Sequence, residues 1–516
     1  DLAVNPAVNI KLEDVSKELM LAPVKLRAPV YKRRRFTQVS GGTSLALSGS
    51  TTLSQFNIPG GSVWNPSRTD IVLDSAFRFR IDGATNNGLV GLVNSFTDCL
   101  PIDSIQLQTA NGQVLANIQN AQIYSKVSQA LALDLDEYSS RGPVYGDTVL
   151  GTALPISQIT GCQPANATTA SLARTTAQLF QSRPSDASII DVAAGGDVAC
   201  VASANPADQA SGTDISGRLV PQRLVSGAIG ANNNNAANFS VRFKIPLKTF
   251  LGTIFAMDRD LYFGQNLQLI IYWKPLDNWF FSCADATAGA SASLSGVLNA
   301  NNTFTISNYY LYMSEHINAE NVAYHKNEVN TKGVEIIVPY TNCSQITTSA
   351  AAGTYTISTP LTPGTGLALK RCITIPVNSA NTLKRTANNF NVGGVKFSQN
   401  QSSLDGRPLQ DQFMIFANSD LWNYMYRLIK NSPAGLSQRT FEECCFMMDN
   451  FSDADDSTHF YENDCKESGL KVPQAMTYEN TFVQTSTASL ILAQYQTWCR
   501  LLVINSSGIS WGSSLV

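Results

Sequence analysis

The sequence predicts an all-β chain of two tandem antiparallel domains, and three observations carry that reading. From Phe36 onward, short segments alternate apolar and polar residues and are broken by Gly, Pro, Asn and Ser, the pattern of half-buried antiparallel strands. At 516 residues the chain exceeds what one hydrophobic core usually organises, so two cores are expected. Each half also follows one plan, with strands, a helix placed between strands, and further strands, although no direct sequence repeat is visible.

Composition narrows the class. Only 15% of residues are charged, with Asn, Ser, Thr, Ala and Gln filling the gap, so the surface is polar but makes little use of long-range repulsion between copies. Net charge −3 argues against a general nucleic-acid binder. No run of about 18 apolar residues is present to span a bilayer, and no stretch has the order of a secretory signal. Ten cysteines form no dense framework, and reduced, buried thiols without obligatory disulfides are expected.

Residues 1–35 read as an N-terminal arm outside the core: a short amphipathic stretch (Ile10, Leu12, Val15, Leu19, Met20) precedes the basic residues Lys25, Arg27, Lys32, Arg33, Arg34 and Arg35. The first domain is expected over 36–318. In residues 70–82, Ile71, Leu73, Phe77, Phe79 and Ile81 share one face of a strand, while Asp74, Arg78, Arg80 and Asp82 share the other. Residues 104–118 read as a hairpin, with Asn111 and Gly112 supplying the positive φ of a two-residue turn. A helix follows on the spacing of Ile123, Val127, Ala130, Leu131 and Leu135.

Residues 143–236 lack lysine, are dense in Ala, Ser, Thr, Gly and Asn, and end in GAIGANNNNAAN. They are expected to form an outward, partly ordered insertion, with local strand pattern at Ile189, Ile190 and Val192. Strands resume with Phe239, Val241, Phe243, Ile245 and Leu247, then with Leu267, Leu269, Ile271 and Trp273. The polar segment that follows NYYLYMSEH sets a boundary near 318–331, and the second domain is expected over 319–516. Its strands are GVEIIVPYT, GLALKRCITIPV, GGVKFSQ and QTWCRLLVIN, with one helical segment, NSDLWNYMYRLIKN, in the middle.

The order of these elements resembles the double jelly-roll major capsid proteins of icosahedral DNA viruses. Residues 242–273 are similar to the family's late first-barrel strands, where a Pro-Leu pair (Pro246, Leu247) ends a strand and a loop leads to a final apolar strand through Leu267 and Ile271. GLALKRCITIPVN, with Leu369, Ile373 and Ile375, resembles an early strand of the second barrel. YQTWCRLLVINSSGISW, with Tyr495, Leu501, Leu502, Val503, Ile504, Asn505 and Gly508, resembles the closing strand. No Pro-Ser-Gly element precedes the last strands, which favours the smaller, virophage-like or polinton-like members.

The resemblance implies two tandem eight-stranded antiparallel jelly rolls with short intervening helices and a long loop insertion in the first. It implies a non-enzymatic subunit of the virion capsid, assembled inside the host cell as homotrimers whose six barrels form a pseudo-hexagonal block. Expected partners are neighbouring trimers, penton and minor capsid proteins. The basic arm then has two open uses: a clamp between subunits, held extended by Pro23 and Pro29, or a neutralising contact with packaged DNA on the inner face.

Chemical motifs add no competing assignment. No Walker loop, nucleophile elbow, HExxH or CxxC pair is present, and no cofactor is expected. His316 and His325 read as ordinary surface residues. Cys444, Cys445, Asp449, Asp453, Asp455, Asp456, His459 and Cys465 crowd one segment, but an EF-hand frame from Asp453 meets Thr458 and Asp464 where Gly and Glu are needed, so a solvated acidic loop is expected and no metal. The alternative from another class is a carbohydrate-binding β-sandwich adhesin or spike, for which Trp279, Phe280 and Phe281 would be the stacking residues.

Overall fold

The computed structural model describes residues 30–47, 50–79, 89–92, 102–121, 123–124, 128, 224–225, 237–275, 280–283, 303–378, 397–415, 420–429, 446–452, 468–484 and 489–512. Most of them lie in antiparallel strands. The first domain holds β1 (Tyr31–Phe36), β2 (Thr52–Ile58), β3 (Ser62–Phe79), β4 (Leu89–Leu92), β5 (Ile102–Thr109), β6 (Val114–Gln119) and β7 (Leu224–Val225). It continues with β8 (Ala237–Pro246), β9 (Leu261–Phe263), β10 (Leu267–Trp273), β11 (Phe280–Cys283) and β12 (Thr303–His316). After α1 (Ala319–Thr331) come β13 (Val334–Thr347), β14 (Gly353–Leu361), β15 (Ala368–Asn378), β16 (Phe397–Leu404), β17 (Arg407–Pro408) and β18 (Met414–Ile415). Then follow α2 (Asp420–Ile429), β19 (Met447–Asn450), β20 (Met476–Gln484), β21 (Leu490–Asn505) and β22 (Gly508–Trp511).

The two domains share one strand order. The first pairs β1-β12-β3-β8 in one sheet and β2-β10-β5-β6 in the other; the second pairs β13-β21-β15-β19 and β14-β20-β16-β17. Counting the eight main strands of each barrel, both give first-eighth-third-sixth against second-seventh-fourth-fifth, the double Greek-key order of a jelly roll. A small sheet, β11-β4-β7, is additional to the first barrel. Its strand β7 lies within the expected insertion; the rest of 143–236 is outside the described residues, as are Ile189, Ile190 and Val192.

Alternation builds each sandwich. Along β10, Leu267, Leu269, Ile271 and Trp273 are buried and the residues between them only half-buried, as expected for a sheet with one face on a core. Tyr309 of β12 closes the first sandwich, edge-on to Phe56 at 5.1 Å and Trp273 at 5.8 Å on the opposing sheet. Its hydroxyl is satisfied by Ser54 Oγ at 2.7 Å, and Trp273 Nε1 donates to that Oγ at 3.0 Å, so the aromatic bulk is buried without an orphaned polar group.

The expectation of two cores is corrected: one continuous apolar cluster runs from Phe56 and Trp273 in the first barrel to Leu492 and Ile373 in the second, beside a smaller cluster around Trp498. The cause is β21, whose residues 492–499 are buried on both faces because the first domain covers the outer one. There Tyr495 stacks on Tyr124 at 4.6 Å between ring centres, and Tyr495 Oη donates to the Asn120 carbonyl at 3.2 Å. Trp511 Nε1 donates to the Val114 carbonyl at 3.0 Å, and Asn120 Nδ2 to Gln345 Oε1 at 2.9 Å. At about 1.5–3 kcal/mol per large apolar side chain buried, such a seam fixes the two barrels as one body.

Two local readings also change. The hairpin β5–β6 turns through three residues, Ala110 to Gly112: Gly112 N–H donates to the Thr109 carbonyl at 2.9 Å, only Gly112 has positive φ (+84°), and the extra residue shifts the register after Leu107. α1 is a helix the apolar spacing did not indicate, capped by Asn318, whose side chain accepts from Glu320 N–H at 3.1 Å. It packs on β9 of the first domain and β21 of the second. The helix expected over 123–135 is described only at Ile123, Tyr124 and Ser128, all helical, with Ala121.

Candidate assembly surface

The basic run is not an arm ahead of the fold from Lys32 onward. Lys32 to Arg35 lie in β1, the first strand of the first barrel, paired in register with β12 from Tyr31 opposite His316 to Phe36 opposite Leu311. Lys25 and Arg27 lie outside the described residues. A run of four consecutive cations is accommodated in a strand because its three arginines find partners on the sheet. Phe36 packs against the core, and Arg34 on the same face pairs with Glu315 at 3.2 Å.

On the outward face the arginines are ordered by tyrosines. Arg33 lies 4.2 Å over the Tyr312 ring and Arg35 4.4 Å over Tyr310, with the two rings 6.1 Å apart edge to face. Asp70 on β3 receives Arg33 at 3.1 Å and Lys244 of β8 at 3.1 Å, which extends the row across the sheet. Arg33 keeps half of its side chain (51%) in solvent, so this ion pair is screened and orients more than it stabilises. β1 is also the edge of its sheet, and a charged edge resists indiscriminate strand pairing.

Below this face Tyr31 donates to Asp260 Oδ1 at 2.8 Å and carries Arg68 4.3 Å over its ring. Burial, then the hydrogen bond to Asp260, pushes the Tyr31 hydroxyl above its ordinary value. His316, read as a surface residue, is buried: Nδ1 accepts from Asn318 N–H at 3.2 Å and Nε2 lies 3.2 Å from Asn321 Nδ2. It fixes the start of α1. His325 is half-buried, and that burial lowers its pKa.

The crowded acidic segment divides. Cys444, Cys445, Asp453, Asp455, Asp456, His459 and Cys465 lie outside the described residues. Asp449 belongs to β19 and is buried inside the second barrel, where Tyr424 Oη donates to Oδ1 at 2.7 Å, Tyr478 Oη to Oδ2, and Gln410 Nε2 to Oδ1 at 3.4 Å. Burial first and the Asp449 charge second raise the pKa of both tyrosines. Asn480 extends the network by donating to Ser402 Oγ at 2.9 Å. Sequence reasoning missed this polar interior; the alternation of Tyr478, Asn480, Phe482 and Gln484 along β20, all buried, was its signal.

Among the described residues no group of three His, Cys, Asp or Glu side chains is placed to hold a metal ion, and no helix is long and apolar enough to cross a membrane. Cys343, Cys372 and Cys499 are free thiols, the last two buried. Burial pushes the Cys343 thiol up to about 11, which keeps it protonated and unreactive at neutral pH. The strand β11 contains Phe280 and Phe281, while Trp279 lies outside the described residues.

No family model and no curated protein matches the chain. Solved structures do. A chain of the Sputnik virophage, from its cryo-EM structure, is 11% identical and superposes with a TM-score of 0.53, over 95% of this chain and 90% of its own length. The mavirus major capsid protein gives 11% identity and 0.47 over 96% and 93%, and the PBCV-1 virus capsid 10% and 0.46 over 94% and 98%. At such identity the likeness is one of fold, and it agrees with the strand order: this chain has the double jelly-roll fold found in major capsid proteins of icosahedral viruses.

Proposed function

We propose that this chain is the major structural subunit of an icosahedral virus shell, with the virion capsid as its place of action and no catalytic step of its own. The observation that carries the reading is the pair of barrels with one strand order, fused through a shared core. Three copies around a threefold axis would present six similar barrels, so a homotrimer would offer neighbours a nearly hexagonal outline, and such blocks tile flat faces. A closed ring of three needs a heterologous contact, in which two different faces of the chain meet. Rigid sandwiches suit that use because strands hold the outline while end loops vary. The genome enclosed is proposed to be DNA, and penton and minor capsid proteins would complete the shell. For the basic segment we favour the clamp between subunits over the DNA contact, because Arg33, Arg34 and Arg35 are already held by side chains of their own sheet.

The native mass of the purified chain, by light scattering after size exclusion at low and high salt, tests the reading. A stable trimer or larger assembly is expected; a monomer at every salt concentration contradicts it.

A further inference from the structure

We infer that the outward arginine row of β1 is one half of a heterologous contact between copies, and that its counterpart is a carboxylate-bearing face of a second copy of this chain. The inference rests on the shell reading above and names the surface that would join its subunits.

Three observations lead there. The first is orientation. A guanidinium held over a tyrosine ring is positioned by that ring and still has edge N–H groups to offer, of which a carboxylate can take two at once. The guanidinium carbons of Arg33 and Arg35 lie 4.2 Å and 4.4 Å from the ring centres of Tyr312 and Tyr310. Their rotamer freedom is thus reduced before any partner arrives, which lowers the entropy cost of association.

The second is local charge. Lys32, Arg33, Arg34 and Arg35 of β1, with Arg68 and, across the sheet on β8, Lys244, stand against Asp70, Asp260 and Glu315. The whole chain nevertheless carries 36 basic and 39 acidic residues. Set apart from these six cations and three acids, the rest of the chain is net acidic, so another copy of the chain has carboxylates to offer such a row. The third is position. Both arginines are exposed on a sheet face whose opposite side is the packed core, so a partner would meet a stiff surface.

A second copy is favoured over nucleic acid because Asp70 stands in the middle of the row, between Arg33 and Lys244 at 3.1 Å from each. A fixed carboxylate there would repel a phosphate backbone, whereas a protein face can place a donor opposite it.

The test compares the wild-type chain with Arg33→Ala/Arg35→Ala and with Arg33→Lys/Arg35→Lys, which keeps charge and loses the planar fork. Self-association is read by sedimentation, folding by circular dichroism, and binding to duplex DNA by fluorescence anisotropy. The expected result is a folded alanine variant whose self-association is weakened about tenfold or more, with the lysine variant between it and wild type. A folded alanine variant that assembles like wild type overturns the inference, including the case in which it loses only DNA binding. A wild-type chain that never assembles overturns the shell reading and this inference together. A variant that fails to fold shows the arginines acting within the sheet and also overturns it; Arg33→Gln/Arg35→Gln, which retains hydrogen bonding, separates that case from loss of charge.

Discussion

Thr341 Oγ1 donates to the carbonyl oxygen of Gly252 at 2.8 Å, so the first strand of the second barrel is bonded directly to a turn of the first. Gly252 has φ +68°, and a Cβ placed there would collide with Thr341 Oγ1 and stand 2.9 Å from Thr497 Oγ1. The left-handed backbone and the close approach both require glycine.

Gly252→Ala is accordingly expected to destabilise the chain by roughly 2–4 kcal/mol, combining a strained φ with overpacking. Thermal unfolding checks it. Because the seam joins the barrels, the loss should appear in the one transition of both, and an unchanged midpoint would show that the seam is soft.

Asp449→Ala should cost about 3 kcal/mol, since it leaves the Tyr424 and Tyr478 hydroxyls buried without their acceptor. Asp449→Asn keeps an acceptor and loses the charge, so a smaller loss is expected. Urea unfolding measures both, and a lowered midpoint at constant slope identifies a change in stability alone.

Alkaline pH should unfold the chain. Tyr424, Tyr478 and Tyr495 have folded pKa values above the ordinary 10.0, chiefly because they are buried. Below pH 10 both states hold these protons and the stability is unaffected. Above it the unfolded chain releases them first, so the native state binds more protons and stability falls with rising pH. Circular dichroism between pH 8 and about 12 follows the loss; Tyr424→Phe should make the fall shallower.

Trp511→Ala removes the donor to Val114 and the ring 4.1 Å beneath Arg500. Faster amide exchange is expected along β6 and β22 while the barrel interiors stay protected.

How far the sequence discloses the fold depends on which force shapes each element. Where one face meets an apolar core the alternation is legible, as in Leu267 to Trp273. α2 is legible too, because Leu421 and Met425 recur at helical spacing on its buried side. α1 is not: its buried residues are Asn321 and Val329, and capping and the two flanking domains hold it instead of an apolar stripe. The strand β1 is hidden for a related reason, since four cations carry no strand signal until Tyr310, Tyr312 and Glu315, on a strand far along the chain, supply partners for the three arginines. The Asn480 and Asp449 network escapes because a polar residue at an inward position looks outward-facing until its partners on other strands are known. Asp405-Gly406, by contrast, has the dipeptide signature of a tight hairpin and forms one, with φ +51° and +74° and Leu404 opposite Arg407.

Electron microscopy of the concentrated, purified chain tests the central claim most directly. Three-fold particles whose projection shows six barrels in a near-hexagonal ring, or closed shells built from them, are the expected result. Monomers, or two-fold dimers joined through identical faces, would contradict it.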